Sequence, residues 1–308
     1  MHSFDHILGN EMLKRSMVQS IYLKRLHHSY IIAGSKGSGK KTLANAFAKS
    51  IVCEKPKEGL ACGACKPCTT FESGNNPDII YIKSEKATLG VGEIREQVLE
   101  GLSVSPHGTY RIYIIQDAHK MTPAAQNAML LTLEEGPKHT IFLLLTANIA
   151  SFLPTVLSRC IKYQTTPLED GVLKEHLEKI GATGERAKVA ISLSKGYMGQ
   201  AIKMTLDEDF IQMYNWVVDV AKSGEKDIVE IFKTAKDIEQ YKDNIFDVLE
   251  VLKNHYRGEM VEHARKGECA SNILAKMKII INTEEKLKTN CNFLLCMETM
   301  LLGILSPV

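Results

Sequence analysis

Gly34-Ser35-Lys36-Gly37-Ser38-Gly39-Lys40-Lys41-Thr42 decides how the first half of this chain is read. A phosphate-binding loop follows the pattern G-x-x-x-x-G-K-[ST]. Its glycines let backbone N–H groups curl round phosphate oxygens, its Lys meets the β- and γ-phosphates, and the next hydroxyl ligates Mg²⁺. Gly34, Gly39 and Lys40 stand at the required places, Gly37 lies between them, and the hydroxyl position holds Lys41. An ammonium cannot ligate a cation and repels it. Thr42 comes one residue later, about 100° further round the helix expected to follow, so its hydroxyl is directed elsewhere. The loop predicts a nucleotide-hydrolase plan that lacks a part needed for hydrolysis.

The flanks supply the context such a loop requires. Tyr30-Ile31-Ile32-Ala33 reads as a buried strand ending at Gly34, and Leu43, Phe47 and Ile51 recur at helical spacing over 42–52. Further strands are expected at 78–82, 111–117 and 140–146. A helix is expected over 94–102, and another from Pro123 to about Glu135. Thr122 is a suitable N-cap for the latter, Pro123 suits its first turn, and Gly136-Pro137 ends it. Strands apolar on both faces and separated by helices predict a parallel sheet covered on both sides.

After about Pro167 the pattern is helical. Three short helices are expected over 168–204, with a break at Lys195-Gly196, and longer ones follow. Ile245, Val248, Leu249, Leu252 and Tyr256 form one apolar stripe; Phe293, Leu294, Met297, Leu301 and Ile304 form another. The expected organisation is an α/β domain over 1–166 with a cysteine insert at 53–68, a small helical lid domain over 167–205, and an all-α domain over 206–308. A length of 308 residues suits two or three domains.

A formal net charge of +2 gives no case for a strongly basic nucleic-acid binder. The local cluster Lys14, Arg15, Lys24, Arg25, His27 and His28 reads as the solvated face of a helix. No apolar run approaches a membrane span, and the first residues lack the layout of a signal peptide, so a cytoplasmic protein is expected. There, eight cysteines are metal ligands and buried thiols more readily than disulfides.

Four of them follow the spacing Cys53-x8-Cys62-x2-Cys65-x2-Cys68. Four thiolates close a tetrahedral zinc shell, and two C-x2-C steps let one knuckle supply three ligands. An iron–sulfur run would place its fourth Cys where Glu72 stands, and a redox pair would leave two thiols without a role. A closed four-Cys shell has no open position, so the metal expected is structural. Cys269, Cys291 and Cys296 show no ligand spacing; the last two read as core thiols.

Asp117 ends an apolar strand, where a hydrolase places its Mg²⁺-side acid. A strand-end acid bonded to local backbone is an equal reading. In many ATPases of this layout a Glu that activates water comes next; here it is Ala118, whose methyl can neither take a proton nor orient water. Arg159, in Ser158-Arg159-Cys160, is either a structural ion-pair partner or an arginine finger reaching a neighbour's phosphate.

Several stretches in order carry a resemblance: 4–10 (FDHILGN), the loop 34–42, the four-Cys insert, 72–78 (ESGNNPD), 113–122 (YIIQDAHKMT) running into 125–130 (AQNAML) and 133–135 (LEE), and 153–160 (LPTVLSRC). Over residues 1 to about 205 the chain resembles the delta-prime subunits of the bacterial DNA polymerase III clamp loader, members of the AAA+ superfamily. The resemblance implies a subunit of a DNA-directed DNA polymerase complex, in a crescent with tau/gamma and delta subunits that places a sliding clamp on primed DNA. It implies a C-terminal helical collar, a zinc module on Cys53, Cys62, Cys65 and Cys68, and Arg159 facing the ATP site of an adjacent tau/gamma subunit.

Active relatives carry a sensor Arg in the small helical domain, and alignment on Gly196 and Ala201 places Gly199 there. Thr146 and Asn148 lie where a first sensor would be, and a structural role is expected for them. Hydrolysis by the chain itself is therefore not expected, while nucleotide binding by Gly34, Gly37, Gly39, Lys40 and Thr42 stays open. The alternatives are an active tau/gamma-type ATPase, against which Lys41, Ala118 and Gly199 speak together, and a zinc-containing DNA-binding protein.

Overall fold

The computed structural model describes residues 3–83, 86–103, 105–224, 226–267, 269–289 and 291–305. They form two compact units: residues up to Val172 with 197–199, and residues 173–196 with those from Gln200 onward. Among the described residues, no helix is long and apolar enough to cross a membrane.

The first unit carries α1 (Glu11–Tyr22), β1 (Ser29–Ala33), α2 (Lys40–Val52), α3 (Lys66–Glu72), β2 (Ile79–Ile82), α4 (Val91–Ile94), β3 (Arg111–Ile115), α5 (Pro123–Glu135), β4 (Thr140–Thr146), α6 (Pro154–Leu157) and β5 (Ile161–Gln164). All strand pairings are parallel, in the order β2-β3-β4-β1-β5. Alternation along the strands divides the apolar residues between two cores. Tyr30, Ile32, Ile112, Ile114 and Leu143 pack with residues of α1 and α2. Ile31, Tyr113, Ile115, Phe142 and Leu144 pack with Ile94, Met129 and Leu133 on the opposite face.

Two local expectations are corrected. The segment 161–164 is a fifth strand that apolar runs do not reveal: Ile-Lys-Tyr-Gln alternates half-buried with exposed positions because it pairs on one side only, with β1. The stretch expected to be one regular helix over 94–102 is helical from Val91 to Ser103, but passes from an α turn through a π turn at Arg95–Leu99 to a 3-10 turn.

The second unit is helical throughout: α7 (Asp170–Lys179, from Leu173 on), α8 (Glu185–Ser194), α9 (Met198–Leu206, from Gln200 on), α10 (Glu208–Lys222), α11 (Ile228–Asp237), α12 (Ile245–Lys266), α13 (Ser271–Leu287) and α14 (Phe293–Leu305). Lys195 and Gly196 both take positive φ and break the chain between α8 and α9. Leu193 of α8 lies in one apolar cluster with Met213, Val248, Leu252, Met297 and Leu301. The core reading of Cys291 is corrected: its thiol is exposed, just ahead of α14, whereas Cys296 is half buried and packs on that cluster.

A charged lattice ties α12 to α13. Lys253 donates to Glu284 at 2.8 Å and Lys288 donates to it at 2.9 Å. These two bonds hold the Glu284 carboxyl down at about 2, against its usual 4.5. A depressed carboxyl stabilises the fold above its unfolded pKa, and that contribution disappears as pH falls from about 4.5 through 2. Because Glu284 is a quarter exposed, we expect Glu284→Gln to cost only about 1 kcal/mol at pH 7. The difference from wild type should shrink toward zero in thermal melts taken between pH 4 and pH 2.

Candidate nucleotide loop, cysteine centre and arginine site

The loop 34–42 leaves the C-terminal end of β1, which lies between β4 and β5, and enters α2. Gly34 donates its N–H to the Thr146 carbonyl at 3.0 Å, which ties the loop to β4. A Cβ at Gly34 would lie 1.8 Å from Thr165 Oγ1, so the close approach of the segment after β5 requires glycine there. Gly39 caps α2 with φ 82°, the left-handed region that again favours glycine.

Lys40 Nζ donates to the carbonyls of Gly34 (2.6 Å) and Ser35 (2.7 Å), across the mouth of its own loop. Burial pushes its ammonium below the usual lysine value, and the Asp117 carboxylate pulls it back up. The retained Lys thus gives two of its three donors to its own loop. Lys41 turns the other way: its Nζ lies over the Tyr81 ring, 6.0 Å from the centroid, and the Tyr81 hydroxyl donates to Asn45 Oδ1 at 3.1 Å. Thr42 is exposed on the first turn of α2.

Asp117 has φ 49° and its carboxylate lies 3.8 Å from Lys120 Nζ. Ala118 is fully buried in the second core of the sheet, so its methyl is a packing group. Thr146 and Asn148 satisfy one another: Thr146 Oγ1 donates to the Asn148 carbonyl at 2.8 Å and accepts from the Asn148 N–H at 3.0 Å. Gly199 belongs to the first unit and donates its N–H to the Gly37 carbonyl at 3.0 Å.

The four insert cysteines come together. One sulfur from each of Cys53, Cys62, Cys65 and Cys68 lies within 4.8 Å of the others. Tetrahedral thiolate ligation at about 2.3 Å spaces sulfurs about 3.8 Å apart, and Cys53 and Cys65 stand at 3.9 Å. Backbone N–H groups of Ala64 and Cys65, with Cys53 close by, push the Cys62 thiol down to about 6, toward the thiolate a metal needs. Burial pushes Cys53 and Cys68 up, the direction a cation would reverse. The donor set fits a closed structural metal. The insert docks on the sheet's helices: a Cβ at Gly59 would lie 2.4 Å from the Val18 carbonyl, and Lys49 pairs with Glu72 at 2.5 Å.

Arg159 follows α6 at the edge of the unit. Its Nε and Nη2 converge on one oxygen of Glu134, at 2.7 and 2.6 Å. Its Nη1 donates to the Thr155 carbonyl at 3.0 Å. Gln126, buried in α5, anchors the approach: Nε2 donates to the Ser151 carbonyl (3.0 Å) and Oε1 accepts from the Leu153 N–H (2.8 Å). Neither Glu134 nor Gln126 could be assigned from the sequence. Both lie in stretches quoted for the resemblance, but each partner is 25 or more residues away, beyond any spacing rule.

A parallel sheet of this order with a phosphate-type loop after β1 defines an AAA+ α/β domain, here with a degenerate loop. The profile of the family described as DNA polymerase III, delta subunit matches residues 9–169. The chain belongs to that family. It is similar to the DNA polymerase III subunit tau/gamma of Haemophilus influenzae, 32% identical over 179 residues, which cover 58% of this chain and 26% of that protein. It is also similar to the DNA polymerase III subunit gamma of Buchnera aphidicola subsp. Schizaphis graminum, 31% identical over 209 residues, covering 66% of this chain and 57% of that one. The chain spans only about a quarter of the length of the tau-type relatives it matches (26% and 28%). Among solved structures, the gamma subunit-related protein of Thermotoga maritima shares the fold over 96% of this chain and 98% of its own, with a TM-score of 0.52 and 19% identity.

Proposed function

We propose that this chain is a delta-prime-type subunit of a DNA polymerase III clamp loader: an AAA+ scaffold that does not hydrolyse ATP and helps place the sliding clamp on primed DNA. Its partners are the tau/gamma and delta subunits, and it reaches clamp and DNA through the assembly in the cytoplasm. Arg159 acts as an arginine finger on the ATP site of the neighbouring tau/gamma subunit. Residues 167–205 serve as the lid and 206–308 as the collar that joins the ring. Cys53, Cys62, Cys65 and Cys68 hold structural zinc.

The observation that carries this reading is the loop itself. Lys40 is kept, while the Mg²⁺ hydroxyl is replaced by Lys41, which turns away to Tyr81. With Ala118 committed to the core and glycine at 199, three parts of a hydrolytic site are absent together. Lys40, Gly39 and the start of α2 still offer an anion site, so nucleotide can bind without turnover. A second reading, an active tau/gamma-type ATPase, is favoured by the 32% identity to tau/gamma subunits. ATP turnover by the isolated chain separates the two. Background turnover is expected; Mg²⁺-dependent turnover abolished by Lys40→Ala would establish the second reading.

A further inference from the structure

We infer that Glu134 is a positioning residue for Arg159, holding the guanidinium so that its free Nη2 N–H stays directed at a neighbour's phosphate. This rests on the reading of Arg159 as a finger. A guanidinium has five N–H donors in a fixed plane. The Glu134 oxygen takes the one on Nε and one on Nη2, and the Thr155 carbonyl takes one on Nη1. Ser158 Oγ donates to the Thr155 carbonyl at 3.0 Å and accepts from the same Nη1 at 3.5 Å. One N–H on Nη2 has no further partner among the described residues. That N–H is the one left for a phosphate oxygen in a charge-assisted bond.

The backbone beneath the pair is fixed as well. Buried Ser29, at the start of β1, directs its hydroxyl to the Arg159 carbonyl at 2.8 Å, with the Leu133 carbonyl at 3.4 Å. One side chain thus pins Arg159 itself and the residue preceding Glu134. Arg159 and Glu134 keep 30% and 52% of their side-chain surface exposed, so a surface ion pair here adds little to stability. Its geometric cost is small too: the Arg side chain is ordered before the neighbour arrives, so less entropy is lost on engagement.

The test uses the loader reconstituted from this chain with its tau/gamma and delta partners. Glu134→Ala should lower kcat for ATP about tenfold with KM unchanged, since misplacing a charge-stabilising group affects the transition state and not ground-state binding. Glu134→Gln, which keeps an acceptor oxygen, should retain most of the rate. Glu134→Ala should add nothing in an Arg159→Ala background, and its melting should match wild type. A wild-type or raised kcat for Glu134→Ala, in a loader that Arg159→Ala does slow, would overturn the positioning role and leave the finger standing. A loader indifferent to Arg159→Ala would remove the finger reading itself.

Discussion

Arg159→Ala is expected to slow ATP turnover at the served site of the assembled loader by up to about 10³, without loss of fold or assembly. A finger acts on charge that accumulates in the transition state, so kcat should fall while KM holds. The side chain is partly exposed, and its own-chain contacts are one carboxylate, one carbonyl and a distant hydroxyl, so truncation removes little packing. The backbone bond from Ser29 to the 159 carbonyl survives the substitution. Single-turnover measurement of the complex isolates the served site from any other turnover and is the sharper assay. Arg159→Lys should behave nearly as badly as Ala, since a point charge cannot reproduce the planar fork. An unchanged single-turnover rate would remove Arg159 from the ATP site.

The second large effect is expected at the cysteine centre. Stripping metal with a chelator, or Cys68→Ser, should cost at least about 4 kcal/mol locally and open the insert to protease, while wild-type chain should carry one zinc. Cys68 is fully buried at the base of α3, beside Phe71, which packs into the first core of the sheet. Leu60 of the insert also packs on that core. The insert's other ties are a tight approach of Gly59 to α1, the Ala61 N–H to Ser50 Oγ at 3.2 Å, and the Lys49–Glu72 pair. Cys291→Ser, at an exposed thiol in the other unit, should change neither zinc content nor proteolysis. Metal-free protein with undiminished protease resistance would show that the four thiols are packing groups instead.

Much of the first unit was legible because its signals are local. Apolar runs of strand length between helical patterns specify buried parallel strands, and the strand–glycine loop–helix order specifies where phosphate chemistry is located. The Cys53, Cys62, Cys65 and Cys68 spacing predicted a cluster that the fold assembles. β5 escaped because an edge strand needs only one apolar face, and four residues of alternation carry little information. The core reading of Cys291 failed for a related reason: it stands two residues ahead of α14, outside the helix whose periodicity would have buried it, and its thiol is exposed.

The chain's own order of residues determined that the loop keeps its Lys and loses its Mg²⁺ hydroxyl, because that chemistry is written in side-chain identity. It also determined the α/β-then-helical plan, because periodicity within one element suffices for that. Only the tertiary structure decided where the charges went. Lys40 folds onto the Gly34 and Ser35 carbonyls, Lys41 lies over Tyr81, and Arg159 is gripped by Glu134 across 25 residues. Such pairings follow from how β1, α5 and the segment after α6 are brought side by side by the sheet, a relation between distant segments that no local pattern encodes.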